Sequence, residues 1–168
     1  MGLRHRGDVK GGCYFITTSV AGFVQVFNIP ECANIVINSL NYCANKYGAN
    51  LNAYVLMPHH IHCIIRIPET VEISNFMRDF KKFTSVQIKH FLENASEHKA
   101  LIEALCNYVP NLPNRFFKLW QDRFDDLELH NEQTFRTKLN YLYNNPVKAG
   151  LVEKAEDYPY LFINENIN

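Results

Sequence analysis

The sequence predicts an α+β domain with a split βαβ core, in which an antiparallel sheet is packed with helices. The first observation is a pair of strand-like segments, residues 50–57 and 60–67, separated only by Pro58 and His59. So short a link requires an antiparallel hairpin. The second observation is that apolar residues with helical spacing both precede and follow this hairpin. With 168 residues, 47% hydrophobic and 20% charged, the chain has the size and composition of one globular domain.

The N-terminal half supplies one strand and one helix before the hairpin. Residues 1–12 are basic and contain glycine, so we expect a flexible arm. Residues 13–20 are rich in aromatic and β-branched side chains and are predicted to form the first strand. A helix should begin at Pro30, with Asn28 as its candidate cap, and end at Gly48.

The C-terminal half begins with a long helix from Val71 to about Leu92. A short helix is expected at residues 101–105, a fourth strand within 116–129, and a helix over 132–144 that stops at Asn145-Pro146. The residues of the long helix predicted to face the core are Ile73, Phe76, Met77, Phe80, Val86, Ile88 and Phe91.

The order strand–helix–strand–strand–helix–strand, with one extra helix, is that of ferredoxin-like and RNA-recognition folds. The third strand, residues 60–67, should be ended by Pro68. We therefore expect a single domain over residues 13–160 and a tail over 161–168. This fold carries many functions, so it does not identify one.

Charge and cysteine content limit the function classes. Lys+Arg and Asp+Glu balance at 17 each, which disfavours binding to duplex DNA by bulk charge. The five cysteines form no Cys-x-x-Cys pair, and their odd count favours reduced thiols over a disulfide framework. No apolar run has the length of a membrane span, and the N-terminus lacks a signal-peptide pattern, so a cytoplasmic protein is expected.

The strand of residues 60–67 carries His60 and His62, which must share one face because side chains alternate along a strand. Two imidazoles about 7 Å apart along a strand can converge on one divalent ion. The alternative is that both histidines simply face water. His59 is not needed for such a pair.

A second cluster lies at the end of the last predicted helix. Tyr141 and Asn145 are four residues apart and share a helix face, whereas Tyr143 would point away from it. A carboxamide oxygen can bind a hard cation, and a tyrosine one turn away can lie beside that ion. Taken alone, the same residues also fit an ordinary Asn-Pro helix stop with packed tyrosines.

Four segments, in order along the chain, resemble a known enzyme family. They are Met57-Pro58-His59-His60-Ile61-His62, residues 77–85, residues 120–124, and residues 141–152 followed by Asp157-Tyr158-Pro159. Together they are similar to single-tyrosine HUH transposases, and most of all to REP-associated tyrosine transposases, over about residues 13–160.

The resemblance implies an enzyme that cuts and rejoins single-stranded DNA beside hairpins. His60 and His62 match the family's histidine–hydrophobic–histidine motif, which holds Mg²⁺ or Mn²⁺. Asn145 matches the third metal ligand, and Tyr141 matches the nucleophile that forms a 5′-phosphotyrosine. The tyrosine is expected on a helix packed beside the sheet. Relatives include monomers and dimers, so a homodimer is left open.

Single-stranded DNA as a partner also agrees with the 13% aromatic content, since bases stack on aromatic rings while basic side chains follow the backbone. Each basic candidate could equally be plain solvated surface. The candidates for contact with DNA are Arg4, Arg6, Arg78, Lys81, Lys82, Arg123 and Lys148.

Two further functions compete with strand transfer. One is a non-catalytic module that binds hairpins or single-stranded nucleic acid on the same fold. The other is a small metallohydrolase that uses water in place of Tyr141. No Cys-rich or His-Glu-x-x-His signature supports a zinc site, so the hydrolase is the least favoured of the three functions.

Overall fold

The computed structural model describes residues 10–107 and 117–165. The strands are β1 (Lys10–Ser19), β2 (Asn50–Met57), β3 (His60–Glu72), β4 (Asp125–Glu128) and β5 (Leu161–Ile163). The helices are α1 (Pro30–Tyr47), α2 (Ile73–Glu93), α3 (Lys99–Asn107) and α4 (Glu132–Lys148).

The strands form one antiparallel sheet in the order β4-β1-β3-β2-β5. The first four strands with α1 and α2 are the predicted split βαβ core, so the expected fold class is confirmed. β3 lies in the centre of the sheet, and its pairing with β2 through the two-residue link is the predicted hairpin. The histidine pair therefore lies on the central strand.

Each face of the sheet has its own core. The larger core packs α1 and α2 against one face, with fully buried side chains such as Tyr14, Phe76 and Phe80. The smaller core lies on the opposite face, where Phe15 and Ile64 of the sheet contact Leu142 of α4. Helix α4 is thus separated from α1 and α2 by the sheet.

Helix α1 has the predicted bounds, but its cap differs. Its N-cap residue is Ile29, and no side chain caps it, so the expectation for Asn28 was wrong. Pro30 occupies the first turn, where its missing N–H breaks no helical hydrogen bond. At the other end Gly48 takes the left-handed conformation, with φ 62°, that closes the helix.

Strands β1 and β3 are both longer than predicted. β1 begins at Lys10, so residues 10–12, expected in a flexible arm, are strand; residues 1–9 lie outside the described part of the chain. β3 continues through Pro68 to Glu72. Pro68 lies past the pairing with β2, which starts at Asn50 opposite Arg66. On the β1 side it lies within the register shift between the Gly12–Ile67 and Lys10–Glu72 pairs, so its missing N–H interrupts no described rung.

The residues of helix α2 that face the core differ slightly from those predicted. Val86, predicted to be inside, is 61% exposed, whereas Thr84 and Leu92 are buried. Thr84 can be buried because its hydroxyl donates to the Phe80 carbonyl (2.8 Å) and accepts from Trp120 Nε1 (2.7 Å).

The C-terminal part departs most from the prediction. β4 covers only Asp125–Glu128, and Trp120 instead forms an isolated bridge with Val20. Helix α4 passes through Pro146 to Lys148, because the fixed φ of proline is helical and only one bond near the helix end is lost. Residues 161–163, expected in a tail, form β5 and pair with β2.

All five cysteines lie within the described ranges and are free thiols, as expected. Among the helices of the described residues, none has both the length and the apolar character needed to cross a membrane.

Candidate functional site

His60 and His62 lie on the sheet face that α4 covers. Their rings are 4.7 Å apart between centroids, so the predicted shared face is confirmed in the geometry of β3. The ring of His62 stacks on Phe15 at 5.3 Å, and its Nδ1 lies 2.7 Å from Thr17 Oγ1. Thr17 is directly opposite His62 in the β1–β3 register. The sheet therefore fixes the orientation of the His62 imidazole, and its Nε2 makes no hydrogen bond to any described residue.

Both imidazoles are held in the neutral form. Burial lowers the pKa of His62 to about 3, with smaller contributions from the nearby His60 and Lys138. Burial also lowers the pKa of His60 to about 4, together with the neighbouring His59. A neutral imidazole keeps a free lone pair, which is the form that binds a metal ion.

Helix α4 brings Tyr141 to the histidine pair. The ring of Tyr141 lies edge-on to His62 at 5.4 Å and edge-on to Phe15 at 5.9 Å, and it is 40% exposed. Leu142, the next residue, is fully buried against the sheet and fixes the rotation of the helix. The phenol is thus held at the rim of the site with access to solvent.

The neighbouring polar residues of α4 have different surroundings. Asn145 lies one helical turn after Tyr141, is half-buried, and makes no side-chain hydrogen bond within the described part of the chain. Tyr143 donates its hydroxyl to Glu156 at 2.8 Å, away from the histidines. Of the two tyrosines, only Tyr141 contacts the histidine pair.

Two lysines of α4 surround the Tyr141 ring. The Lys138 ammonium lies 5.6 Å from the ring centroid and 4.9 Å from that of Phe15, and the Lys148 ammonium lies 5.8 Å from the Tyr141 ring. Lys148 was a sequence candidate for DNA contact, and the structure brings it to this site. The positive charge beside the phenol would attract a phosphate.

An exposed aromatic side chain extends the site on the other side of the histidines. Phe23 is 59% exposed and has φ 54°, a left-handed conformation that costs free energy for a bulky residue. Its ring meets His59 edge-on at 5.6 Å, and His59 Nδ1 lies 3.1 Å from His60 Nδ1. His59, which sequence reasoning set aside, therefore contacts the pair.

The other basic candidates lie elsewhere. Arg78 and Lys82 are exposed on α2, across the sheet from the histidines, and Arg123 is exposed before β4. Lys81 differs from the plain solvated surface that was its alternative role, because its ammonium donates to the Gln121 carbonyl (2.6 Å) and burial lowers its pKa to about 8. The contacts of these residues with DNA stay predictions.

Arg4 and Arg6, the remaining basic candidates, lie outside the described residues.

Sequence reasoning missed four residues of this site: Phe15, Thr17, Phe23 and Lys138. Lys138 could have been found, since it is three residues before Tyr141 and shares its helix face. Phe15 and Thr17 depend on the register between β1 and β3, which no local pattern specifies.

The side chains around the histidine pair include nitrogen and oxygen donors for a divalent cation. Across residues 10–107 and 117–165, no cluster of three His, Cys, Asp or Glu side chains is placed to share an ion. Two neutral imidazoles and the uncommitted carboxamide of Asn145 are nevertheless a donor set of the kind that Mn²⁺ or Mg²⁺ accepts, with positions left for phosphate oxygens. The residues present thus fit a divalent ion.

Known proteins share this arrangement of sheet and helices. A solved structure of a REP-associated tyrosine transposase bound to a REP hairpin has a TM-score of 0.71 and 23% identity, and covers 96% of this chain and 82% of that chain. The crystal structure of a Deinococcus radiodurans protein assigned as a transposase has a TM-score of 0.53 and 19% identity, covering 85% of this chain and 97% of its own. These likenesses establish the fold.

The sequence comparisons identify the family. The family model described as "Transposase IS200 like" matches residues 23–105. The REP-associated tyrosine transposase of Escherichia coli is 30% identical over 153 residues, which is 90% of this chain and 76% of that protein. A Haemophilus influenzae protein assigned to the same family is 24% identical over 160 residues, or 92% of this chain and 81% of its own.

The fold and these relatives define a transposase, an enzyme that acts on DNA. More narrowly, the chain belongs to the REP-associated tyrosine transposases.

Proposed function

We propose that this protein cuts and rejoins single-stranded DNA next to a hairpin through a 5′-phosphotyrosine formed at Tyr141. The observation that carries the proposal is the approach of the Tyr141 ring to His62, at 5.4 Å, on a face that also carries His60. A solved structure of similar fold is that of a transposase bound to a REP hairpin, which supports a DNA hairpin as the partner.

The cleavage step forms one bond and breaks another. The Tyr141 oxygen attacks the phosphorus of the scissile phosphodiester, the bond from phosphorus to the 3′-oxygen breaks, and that oxygen takes up a proton from solvent and leaves as a 3′-hydroxyl. The phenol proton passes to solvent, which Tyr141 can reach because it is 40% exposed. In the joining step a second 3′-hydroxyl attacks the phosphotyrosine and releases the phenol, so no ATP is consumed.

The proposed metal ligands are His60, His62 and Asn145, and the proposed ion is Mg²⁺ or Mn²⁺. When bound there, such an ion supplies a Lewis acid that polarises and orients the phosphate. Thr17 holds the His62 ring in place through the 2.7 Å hydrogen bond to Nδ1. Lys138 and Lys148 offset the negative charge of the phosphate from the helix side.

A denaturing-gel assay for covalent protein–DNA adducts tests the proposal. The substrate is a labelled hairpin with single-stranded flanks taken from palindromes near the gene, with Mg²⁺, Mn²⁺ or EDTA. Adduct is expected with either ion, and should be absent in EDTA and in Tyr141→Phe. Tyr143→Phe is the matched control, since its hydroxyl is engaged by Glu156, and it should form adduct at the wild-type level.

Three results would contradict the proposal. Full adduct formation by Tyr141→Phe would exclude this tyrosine as the nucleophile. Cleavage without adduct that survives Tyr141→Phe but disappears in His62→Ala would instead indicate hydrolysis by water. Hairpin binding without cleavage under every metal condition would indicate a non-catalytic DNA-binding protein.

A further inference from the structure

Three side chains form a row across the sheet beside the histidine pair. Thr17 of β1 lies directly opposite His62 of β3 on one side and directly opposite Asp125 of β4 on the other. The side chains of directly opposite residues lie on one face of an antiparallel pair. The neighbouring row shows which face this is, because Leu127 is opposite Phe15 and packs with it in the smaller core. Asp125 therefore lies on the same sheet face as His62, two strands away.

The carboxylate of Asp125 has no partner of its own in the described part of the chain. Asp125 is exposed and forms neither a hydrogen bond nor an ion pair with any described residue. Helix α4 directs one charged group to this face of β1, the Lys138 ammonium, which lies 4.9 Å from the Phe15 ring centroid. The Cβ atoms of directly opposite residues are about 4.5–5.5 Å apart, so a change of rotamer brings an aspartate oxygen to the Thr17 hydroxyl.

The hydrogen bond between Thr17 and His62 can run in two directions, and the direction determines which ring nitrogen can bind a metal ion. A neutral imidazole carries one proton, on Nδ1 or on Nε2. If the Thr17 hydroxyl donates to Nδ1, 2.7 Å away, the His62 proton lies on Nε2 and occupies the lone pair there. If Nδ1 donates and Thr17 accepts, Nε2 keeps its lone pair, and the hydroxyl hydrogen of Thr17 needs another acceptor.

From this arrangement we infer that Asp125 is a positioning residue, which accepts the Thr17 hydroxyl hydrogen and so keeps the His62 proton on Nδ1. A carboxylate suits this role because a hydrogen bond to an ionised acceptor is stronger than one to a neutral acceptor. Hydrogen-bond partners behind a metal-binding histidine fix its tautomer and raise its affinity for the ion. The inference rests on the proposed function, since it assigns Asp125 to the proposed metal site.

The first measurement determines the tautomer of His62 in protein without metal or DNA. Protein with ¹⁵N-labelled histidine is examined in EDTA by long-range ¹H–¹⁵N correlation spectra, in which protonated and unprotonated ring nitrogens have well-separated shifts. The signals of His62 are those missing from the His62→Gln spectrum. In wild type the proton should lie mainly on Nδ1. Asp125→Ala should shift the ratio about three- to tenfold toward Nε2, whereas Asp125→Glu, which keeps a carboxylate, should change it little.

The second measurement determines the affinity for the ion. Mn²⁺ alone is titrated into metal-free protein, and the free ion is quantified by electron paramagnetic resonance. Asp125→Ala should weaken Mn²⁺ binding about tenfold. In a Thr17→Val background the same substitution should cause no further loss, because the hydroxyl through which the carboxylate acts is absent.

Two controls separate this role from general effects of charge and of folding. Glu103→Gln removes one negative charge from an exposed position of α3, and should change neither the tautomer ratio nor the affinity for Mn²⁺. Asp125→Ala should shift the melting temperature by less than about 2 °C, because Asp125 is exposed.

Three outcomes would overturn the inference. One is that the His62 proton lies mainly on Nε2 in wild type. Another is that Asp125→Ala leaves the tautomer ratio unchanged, as Glu103→Gln should. The third is that the losses of Mn²⁺ affinity from Asp125→Ala and Thr17→Val add fully, which would indicate an effect of charge alone. The tautomer measurement needs neither metal nor DNA, so it decides the role of Asp125 even if the protein forms no adduct with DNA.

Discussion

The hydrogen bond between Trp120 and Thr84 gives a prediction about stability that the structure makes quantitative. Trp120 is 4% exposed and Thr84 is fully buried, and the indole N–H donates to the threonine hydroxyl at 2.7 Å. Thr84→Val keeps the side-chain shape but leaves the indole N–H unpaired inside the core. Such a loss costs about 1–3 kcal/mol. At about 2–4 °C per kcal/mol for a chain of this size, a 2 kcal/mol loss lowers the melting temperature by about 4–8 °C.

Thr137 provides a matched control. Its hydroxyl donates to the carbonyl four residues earlier, at 2.8 Å, as the Thr84 hydroxyl does, but Thr137 is exposed and bonds no indole. Thr137→Val should therefore change the melting temperature by less than about 2 °C, because exposed substitutions usually stay within about 0.5 kcal/mol. The assay is thermal unfolding followed by circular dichroism, with urea denaturation to obtain the free energy of unfolding.

The free energies of unfolding of the two threonine variants test whether the buried hydrogen bond stabilises the fold. If Thr84→Val lowers the free energy of unfolding no more than Thr137→Val does, the buried hydrogen bond is not the source of stability. In that case a water or a side-chain shift would have to satisfy the indole. A double variant with Trp120→Phe adds a second check, since the interaction energy between the two substitutions should be at least about 0.5 kcal/mol.

Three further predictions concern the site and the helices around it. Thr17→Val, which removes the hydrogen bond to His62, should raise the Mg²⁺ or Mn²⁺ concentration for half-maximal adduct formation about 10- to 100-fold, whereas Thr18→Val on the opposite face should leave it unchanged. Phe23→Ala should weaken binding of the single-stranded flank about tenfold in an anisotropy titration if its exposed ring stacks on a base, and unchanged affinity would exclude that role. Hydrogen bonds from a lysine and a tyrosine of α1 hold the pKa of Asp79 well below its ordinary value, so its stabilising effect is complete at pH 7 and is lost as the pH falls through about 4 and below. Asp79→Asn should accordingly cost about 1–2 kcal/mol at pH 7 in urea denaturation and less at pH 3, and an equal cost at both pH values would contradict the assignment.

The sequence predicted the parts of the fold that depend on local periodicity. Alternation along the strand placed His60 and His62 on one face, and helical spacing gave the bounds of α1. These features follow from backbone geometry within one element, so no information about neighbouring elements was needed.

The misplaced elements depend on tertiary contacts instead. β5 has three residues, and only its pairing with β2 makes it a strand. The extension of β3 beyond Pro68 depends on its pairing with β1, and the burial of Thr84 depends on Trp120. The same reason explains why Thr17 was not found: its place opposite His62 is set by strand register, which local propensity does not specify.

The segment that follows α4 bears on whether Tyr141 acts together with the histidine pair of its own chain or of a second copy. After Tyr141 the chain returns to the sheet, where the Tyr158 hydroxyl bonds the Leu56 carbonyl at 2.8 Å and β5 pairs with β2. This anchors the tyrosine-bearing helix beside the histidines of its own chain. We therefore expect the proposed site to form within one chain, so mixing a copy that lacks Tyr141 with one that lacks His62 should not restore activity by complementation.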